Sequence, residues 1–130
     1  SKYGVFKHKQ ESFAFEGVSG MHKMQEIMQK LRTDAPKSIG GLSVIESADY
    51  QEGLFTDAAT GETRSTGLPK SNVISFFLPE HASVIVRPSG TEPKIKAYYT
   101  TAGKTMEDAA AIEAKLMEDV HKLIPTDWNK

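Results

Sequence analysis

Apolar residues recur along this chain in two rhythms, one of period two and one of three to four. Phe13 and Phe15 alternate with polar neighbours over Ser12–Glu16, which predicts a short half-buried strand. Gly17-Val18-Ser19-Gly20 breaks the alternation, and Ser19 is placed to cap the next segment. Met21, Met24, Ile27, Met28 and Leu31 then fall on one stripe, with Lys23, Gln25, Glu26, Gln29 and Lys30 on the wet side. The spacing predicts a helix over Gly20–Arg32, ended by Asp34-Ala35-Pro36 because residues before proline avoid helical geometry.

Gly40-Gly41 opens a second strand, Leu42–Ser47. From Tyr50 to Asn72 the chain is rich in Gly, Thr, Asp and Ser, which reads as a loop or irregular hairpin. Three strands are expected next, Val73–Leu78, Ser83–Arg87 and Lys94–Thr101, and the short links between them favour antiparallel neighbours. Thr105 with Asp108 forms a capping box before Ala109, Ile112, Leu116, Val120 and Leu123, the stripe of a long helix ending before Pro125.

The order strand, helix, four strands, helix predicts an α+β fold of two layers, with both helices on one face of a mainly antiparallel sheet. Residues 1–10 mix aromatic and basic side chains without a clean period and read as a linker or lead-in. The domain proper is expected over 11–125, and 126–130 as a frayed tail from which Trp128 docks on the surface.

Composition narrows the classes. A length of 130 residues suits one domain with one core. Sixteen basic and seventeen acidic residues leave a net charge of −1, which argues against a general nucleic-acid surface. The absence of cysteine rules out disulfides and thiolate metal sites and fits a cytoplasmic setting. No apolar run approaches the roughly 20 residues that cross a bilayer, so no membrane partner is expected.

One loop demands a chemical account: Arg87-Pro88-Ser89-Gly90-Thr91-Glu92-Pro93, followed by Lys94 and Lys96. A phosphate dianion wants a bidentate cation, short hydroxyl donors and backbone with no Cβ in the way. Arg87, Ser89, Gly90 and Thr91 supply these, and two prolines restrict the loop before any anion arrives. Lys96 shares the strand face of Lys94 and can project beside the loop mouth. From residues alone a second reading stands beside this one: a turn between strands, with Arg87 a solvated strand end.

The run RPSGTEPKIKAYY resembles the phosphate-binding loop of the α-D-phosphohexomutases, the phosphoglucomutase/phosphomannomutase family. FEGVSGMHKMQEIMQKLR, IGGL and LPKSNVISFFL appear in the order expected of its bacterial branch, so the resemblance covers nearly the whole chain. It implies the family's C-terminal domain, with a TATA-binding-protein-like fold. It further implies phosphate contacts from the side chains of Arg87, Ser89 and Thr91 and the backbone of Gly90, with Lys96 as the basic residue of the following strand. The implied reaction interconverts hexose 1-phosphate and hexose 6-phosphate through a bisphosphate. The family's phosphoserine, its Mg²⁺-binding aspartates and its sugar-reading loop lie in other domains. The expected partners are therefore a hexose phosphate and the remaining domains of the same enzyme, with Mg²⁺ bound outside this chain and no catalytic residue within it. A free-standing sugar-phosphate or anion-binding module of the same fold is the alternative.

Other signals carry less. His8, His22, His81 and His121 lack metal-ligand spacing. Gly17–Gly20 matches the GxxG of RNA-binding KH domains, but it follows a strand where those domains place it between helices. Met21, Met24 and Met28 read as core-filling residues.

Overall fold

The computed structural model describes residues 4–125. Eleven elements follow one another: β1 (Val5–Ala14), α1 (Gly17–Thr33), β2 (Ser38–Ile39), β3 (Leu42–Ser43), β4 (Glu46–Asp49), β5 (Leu54–Asp57), β6 (Thr63–Ser65), β7 (Ile74–Phe77), β8 (Ser83–Pro88), β9 (Lys94–Gly103) and α2 (Met106–Leu123). Seven strands form one antiparallel sheet in the order β1-β9-β8-β7-β4-β5-β6, and β2 and β3 pair as a separate hairpin. Both helices pack on one face, so the architecture is the expected two-layer α+β fold.

Alternation along β9 decides what that face buries. Ile95, Ala97 and Tyr99 turn inward, while Lys94, Lys96 and Tyr98 turn to the other face and stay half-buried. The inward residues join Phe13 and Phe15 of the first strand region, Ile74 and Phe76 of β7, and Val84 and Val86 of β8. Met24, Ile27, Met28 and Leu31 of α1 close this core from above, beside Leu116 and Val120 of α2. Leu116 has no exposed surface, and truncating such a side chain to Ala costs about 2–5 kcal/mol.

Several boundaries differ from the sequence reading, each for a local reason. The first strand is ten residues long, and Val5–Gln10, read as a linker, pairs with Tyr98–Gly103. Its inward positions carry Lys7 and Glu11, whose charges hide the alternation. Lys7 Nζ lies 2.6 Å from the buried Glu113 carboxylate of α2, and Glu11 accepts the Tyr99 hydroxyl at 2.7 Å. Helix α1 begins at Gly17, so Ser19 lies inside its first turn rather than capping it, and Glu16 precedes the helix without a side-chain cap. The GxxG segment is thus helical and is no loop between helices.

The expected strand Leu42–Ser47 is divided between β3 and β4. The stretch read as a loop, Tyr50 to Asn72, contains the short strands β5 and β6, neither with a fully buried residue, and β6 forms the sheet edge. Between β2 and β3, Gly40 holds φ +61°, and a Cβ there would lie 2.9 Å from the Leu116 amide nitrogen. Only glycine lets this hairpin tip meet α2, where Asp119 accepts its amide at 2.6 Å. Thr105 caps α2 as expected, accepting the Asp108 amide at 3.1 Å. The tail read at 126–130, with Trp128, lies outside the described residues. Among the described residues, no helix is long and apolar enough to cross a membrane.

Candidate functional site

The loop after β8 is built by a hairpin that cannot close tightly. The Ser89 amide donates to the Lys94 carbonyl at 2.8 Å, which pins the mouth, and the Lys94 amide donates back to Glu92 at 2.8 Å. The Phe15 amide, at the end of the first strand region, donates to the Pro93 carbonyl at 2.8 Å and ties the loop to the sheet. Proline at 88 and 93 leaves no backbone donor at those two positions. The tip is therefore held at its base and open at its crown.

The crown offers donors. Ser89 and Thr91 present hydroxyls, and the Thr91 amide makes a long 3.4 Å contact to Ser89 Oγ. The Gly90 amide has no acceptor among the described residues, and a Cβ placed on Gly90 would meet nothing within 4 Å. An approaching oxyanion would reach that N–H unobstructed.

Arg87 and Lys96 stand directly opposite each other in the β8–β9 register, on the sheet face away from the helices. Neither has an acidic partner among the described residues, whereas neighbouring Lys94 is paired with Glu92 at 3.3 Å. Two cations facing each other across a ladder destabilise it unless an anion lies between them. The Arg87 guanidinium rests over the Tyr98 ring, its Cζ 5.7 Å from the centroid.

The five expected site residues thus divide into two groups joined by the loop. Ser89, Gly90 and Thr91 line an open cleft of about 630 Å³ between the loop and α1. Arg87 and Lys96 do not line it; they lie on the sheet face at the base of the same loop. The opposite wall was not anticipated. Met21, read as core, is 46% exposed there, and Gln25 and Gln29, read as solvated, border the cleft with Arg32, Gln51 and Asn72. Their helical spacing with Met24 and Met28 was visible in sequence, but what faces them was not. Among the described residues no group of three or more His, Cys, Asp or Glu side chains could hold a metal ion.

The site is thus an open, donor-rich hairpin tip on a small two-layer domain, and known proteins resemble that domain. The chain is 38% identical over 105 residues to the phosphoglucomutase of Staphylococcus saprophyticus, a match covering 81% of this chain and 19% of that enzyme. It is 42% identical over 95 residues to the phosphoglucomutase of Staphylococcus epidermidis, covering 73% of this chain and 17% of the relative. In fold it is similar to parafusin, a phosphoglucomutase from Paramecium solved in an open form, with a TM-score of 0.52, 14% identity, and coverage of 92% of this chain and 20% of that one. No family model matches. The chain belongs to the phosphoglucomutase family and, spanning under a fifth of the curated relatives it matches, corresponds to a domain of that enzyme, in keeping with its C-terminal one.

Proposed function

We propose that this domain binds the phosphate of a hexose phosphate for a phosphoglucomutase or phosphomannomutase whose reacting groups lie in other domains. The carrying observation is the pair of cations without an acidic partner among the described residues, Arg87 and Lys96, face to face at the base of a loop whose crown offers the Gly90 amide and the Ser89 and Thr91 hydroxyls. A dianion there relieves like-charge repulsion and gains charge-assisted hydrogen bonds. Arg87 reaches it by rotating off Tyr98, whose ring keeps the guanidinium near the loop in the meantime.

In the proposed reaction a phosphoryl group passes between an enzyme serine and the sugar, so that the 1- and 6-positions exchange through a bisphosphate. The phosphate that is not being transferred needs a fixed seat, in either orientation of the sugar, and this loop supplies one. Positioning of that kind accounts for much of phosphoryl-transfer catalysis. The Mg²⁺ of the reaction is held outside this chain, and the cytoplasmic setting expected from the sequence goes with the same proposal. The chain alone is expected to turn over no glucose 1-phosphate.

Equilibrium dialysis against labelled inorganic phosphate tests the seat. The chain should bind with a dissociation constant of about 1 mM, since a few hydrogen bonds offset the cost of immobilising the ion. Arg87→Ala should weaken binding more than Lys96→Ala, because a guanidinium grips in two places and an ammonium in one. Arg64→Ala should leave binding unchanged. Equal losses in Arg87→Ala and Arg64→Ala would overturn the proposal.

A further inference from the structure

The wall of the cleft that faces the loop has a composition of its own. Met21, Met24 and Met28 run along α1 at helical spacing, and Gln25 and Gln29 run beside them. Arg32 continues the stripe and is fixed in place: its Nε donates to Asp49 at 3.0 Å and an Nη donates to Asn72 Oδ1 at 2.7 Å. Both charged residues of the lining already have partners, Arg32 with Asp49 and Glu92 with Lys94. This wall therefore offers amide donors and acceptors over a thioether floor, and no uncompensated charge.

That combination suits a neutral polyol. A sugar ring presents hydroxyls that both donate and accept along its edge, matching primary amides, and C–H groups on its faces, matching polarisable methionine sulfur. A bare phosphate gains less from this wall than a polyol does, because its one cation, Arg32, is already paired with Asp49 and phosphate leaves the amide acceptors and the thioether floor unused. At about 630 Å³ the cleft has room for a hexose beside the loop.

We propose that Gln25 and Gln29, over the Met21–Met28 floor of α1, hold the hydroxyl-bearing body of a sugar phosphate whose phosphate sits on the Ser89–Thr91 loop. This rests on the phosphate reading of the loop and adds the side on which the ring lies. The ring lies against α1 and not across the sheet face that carries Arg87 and Tyr98. Gln25 and Gln29 thereby contribute to the discrimination of sugar phosphate from bare phosphate within this domain.

The test compares two ligands on the 130-residue chain by NMR, inorganic phosphate and glucose 6-phosphate. Both should move the amides of Ser89–Thr91. Only glucose 6-phosphate should also move the side-chain amides of Gln25 and Gln29 and the methyl groups of Met21 and Met28. The double variant Gln25→Ala/Gln29→Ala, at exposed helical positions where Ala is well tolerated, should weaken glucose 6-phosphate by about 3- to 10-fold. Its affinity for phosphate should stay within about twofold of the wild type, since no loop donor is touched. If phosphate moves the loop while glucose 6-phosphate adds nothing at α1, or adds its shifts at Tyr98 and Thr100, the inference falls and the phosphate reading stands. Equal weakening of both ligands by the double variant would also overturn it. If neither ligand moves the loop, the phosphate reading falls and this inference with it.

Discussion

Two glycines separate what the domain owes to folding from what the loop owes to binding. A Cβ on Gly103 would lie 2.7 Å from the Asp108 Cβ and 3.0 Å from the Ala109 amide nitrogen. Both atoms belong to the capped first turn of α2, which cannot retreat without losing the Thr105–Asp108 bond or the end of β9. Overpacking of this kind costs about 1–3 kcal/mol. At about 4 °C per kcal/mol for a domain of this size, Gly103→Ala should melt about 4–12 °C below the wild type. Gly90 is the opposite case: its added Cβ meets nothing within 4 Å and its φ is not left-handed. Gly90→Ala should melt within a few degrees of the wild type, or slightly above it, because Ala restricts the unfolded chain. Its methyl group would nevertheless crowd the unoccupied Gly90 amide, and phosphate affinity should fall about tenfold, the order of one charge-assisted hydrogen bond. Thermal melts followed by circular dichroism, with phosphate binding measured by calorimetry, read both arms. Unchanged melting of Gly103→Ala would refute the packing argument. Unchanged phosphate binding by Gly90→Ala would refute the loop geometry.

Other expectations concern the frame of the site. Thr101 Oγ1 is fully buried without a hydrogen-bond partner, so Thr101→Val should raise stability by about 1 kcal/mol, read as a higher denaturation midpoint at unchanged slope. Tyr99 is buried and donates to Glu11, and burial first, then that carboxylate, hold its phenol well above the ordinary 10.0. A raised folded value means the contribution is complete below pH 10 and is lost as pH rises beyond it. The Tm advantage of the wild type over Tyr99→Phe should therefore be present at neutral pH and narrow above pH 10. Arg64 grips Glu46 through two nitrogens, at 2.6 and 3.2 Å, and lies 4.4 Å from the Phe55 ring centroid. Arg64→Ala should lower Tm slightly while sparing phosphate binding, since an exposed ion pair and a ring contact stabilise only weakly.

The elements that were legible in the sequence are those whose burial is one-sided and apolar. The core stripe of α1, the period-two runs of β7 to β9 and the capped α2 fall close to where spacing places them. The start of the first strand was illegible because its inward positions are charged, and its hydrophobic signal is replaced by the ion pair of Lys7 with Glu113. Strands β5 and β6 were illegible because they are short and bury no residue fully. Of the site, the loop could be read from Arg87 to Pro93 because its turn chemistry and donor chemistry coincide in sequence. The α1 wall could not. Gln25 and Gln29 have the composition of a wet helix face, and only the fold brings the loop across from them. The separation of Arg87 and Lys96 from the loop hydroxyls is likewise a consequence of strand register, which one slip of pairing would reverse.

The central claim is that the hairpin tip after β8 is a phosphate seat, and a titration of the labelled chain with inorganic phosphate, read at every backbone amide, tests it most directly. Shifts concentrated at Ser89–Glu92 and at Lys96, saturating with a dissociation constant of about 1 mM, are the expected result. Shifts confined to the helices, or an unmoved Gly90 amide at saturating phosphate, would contradict it.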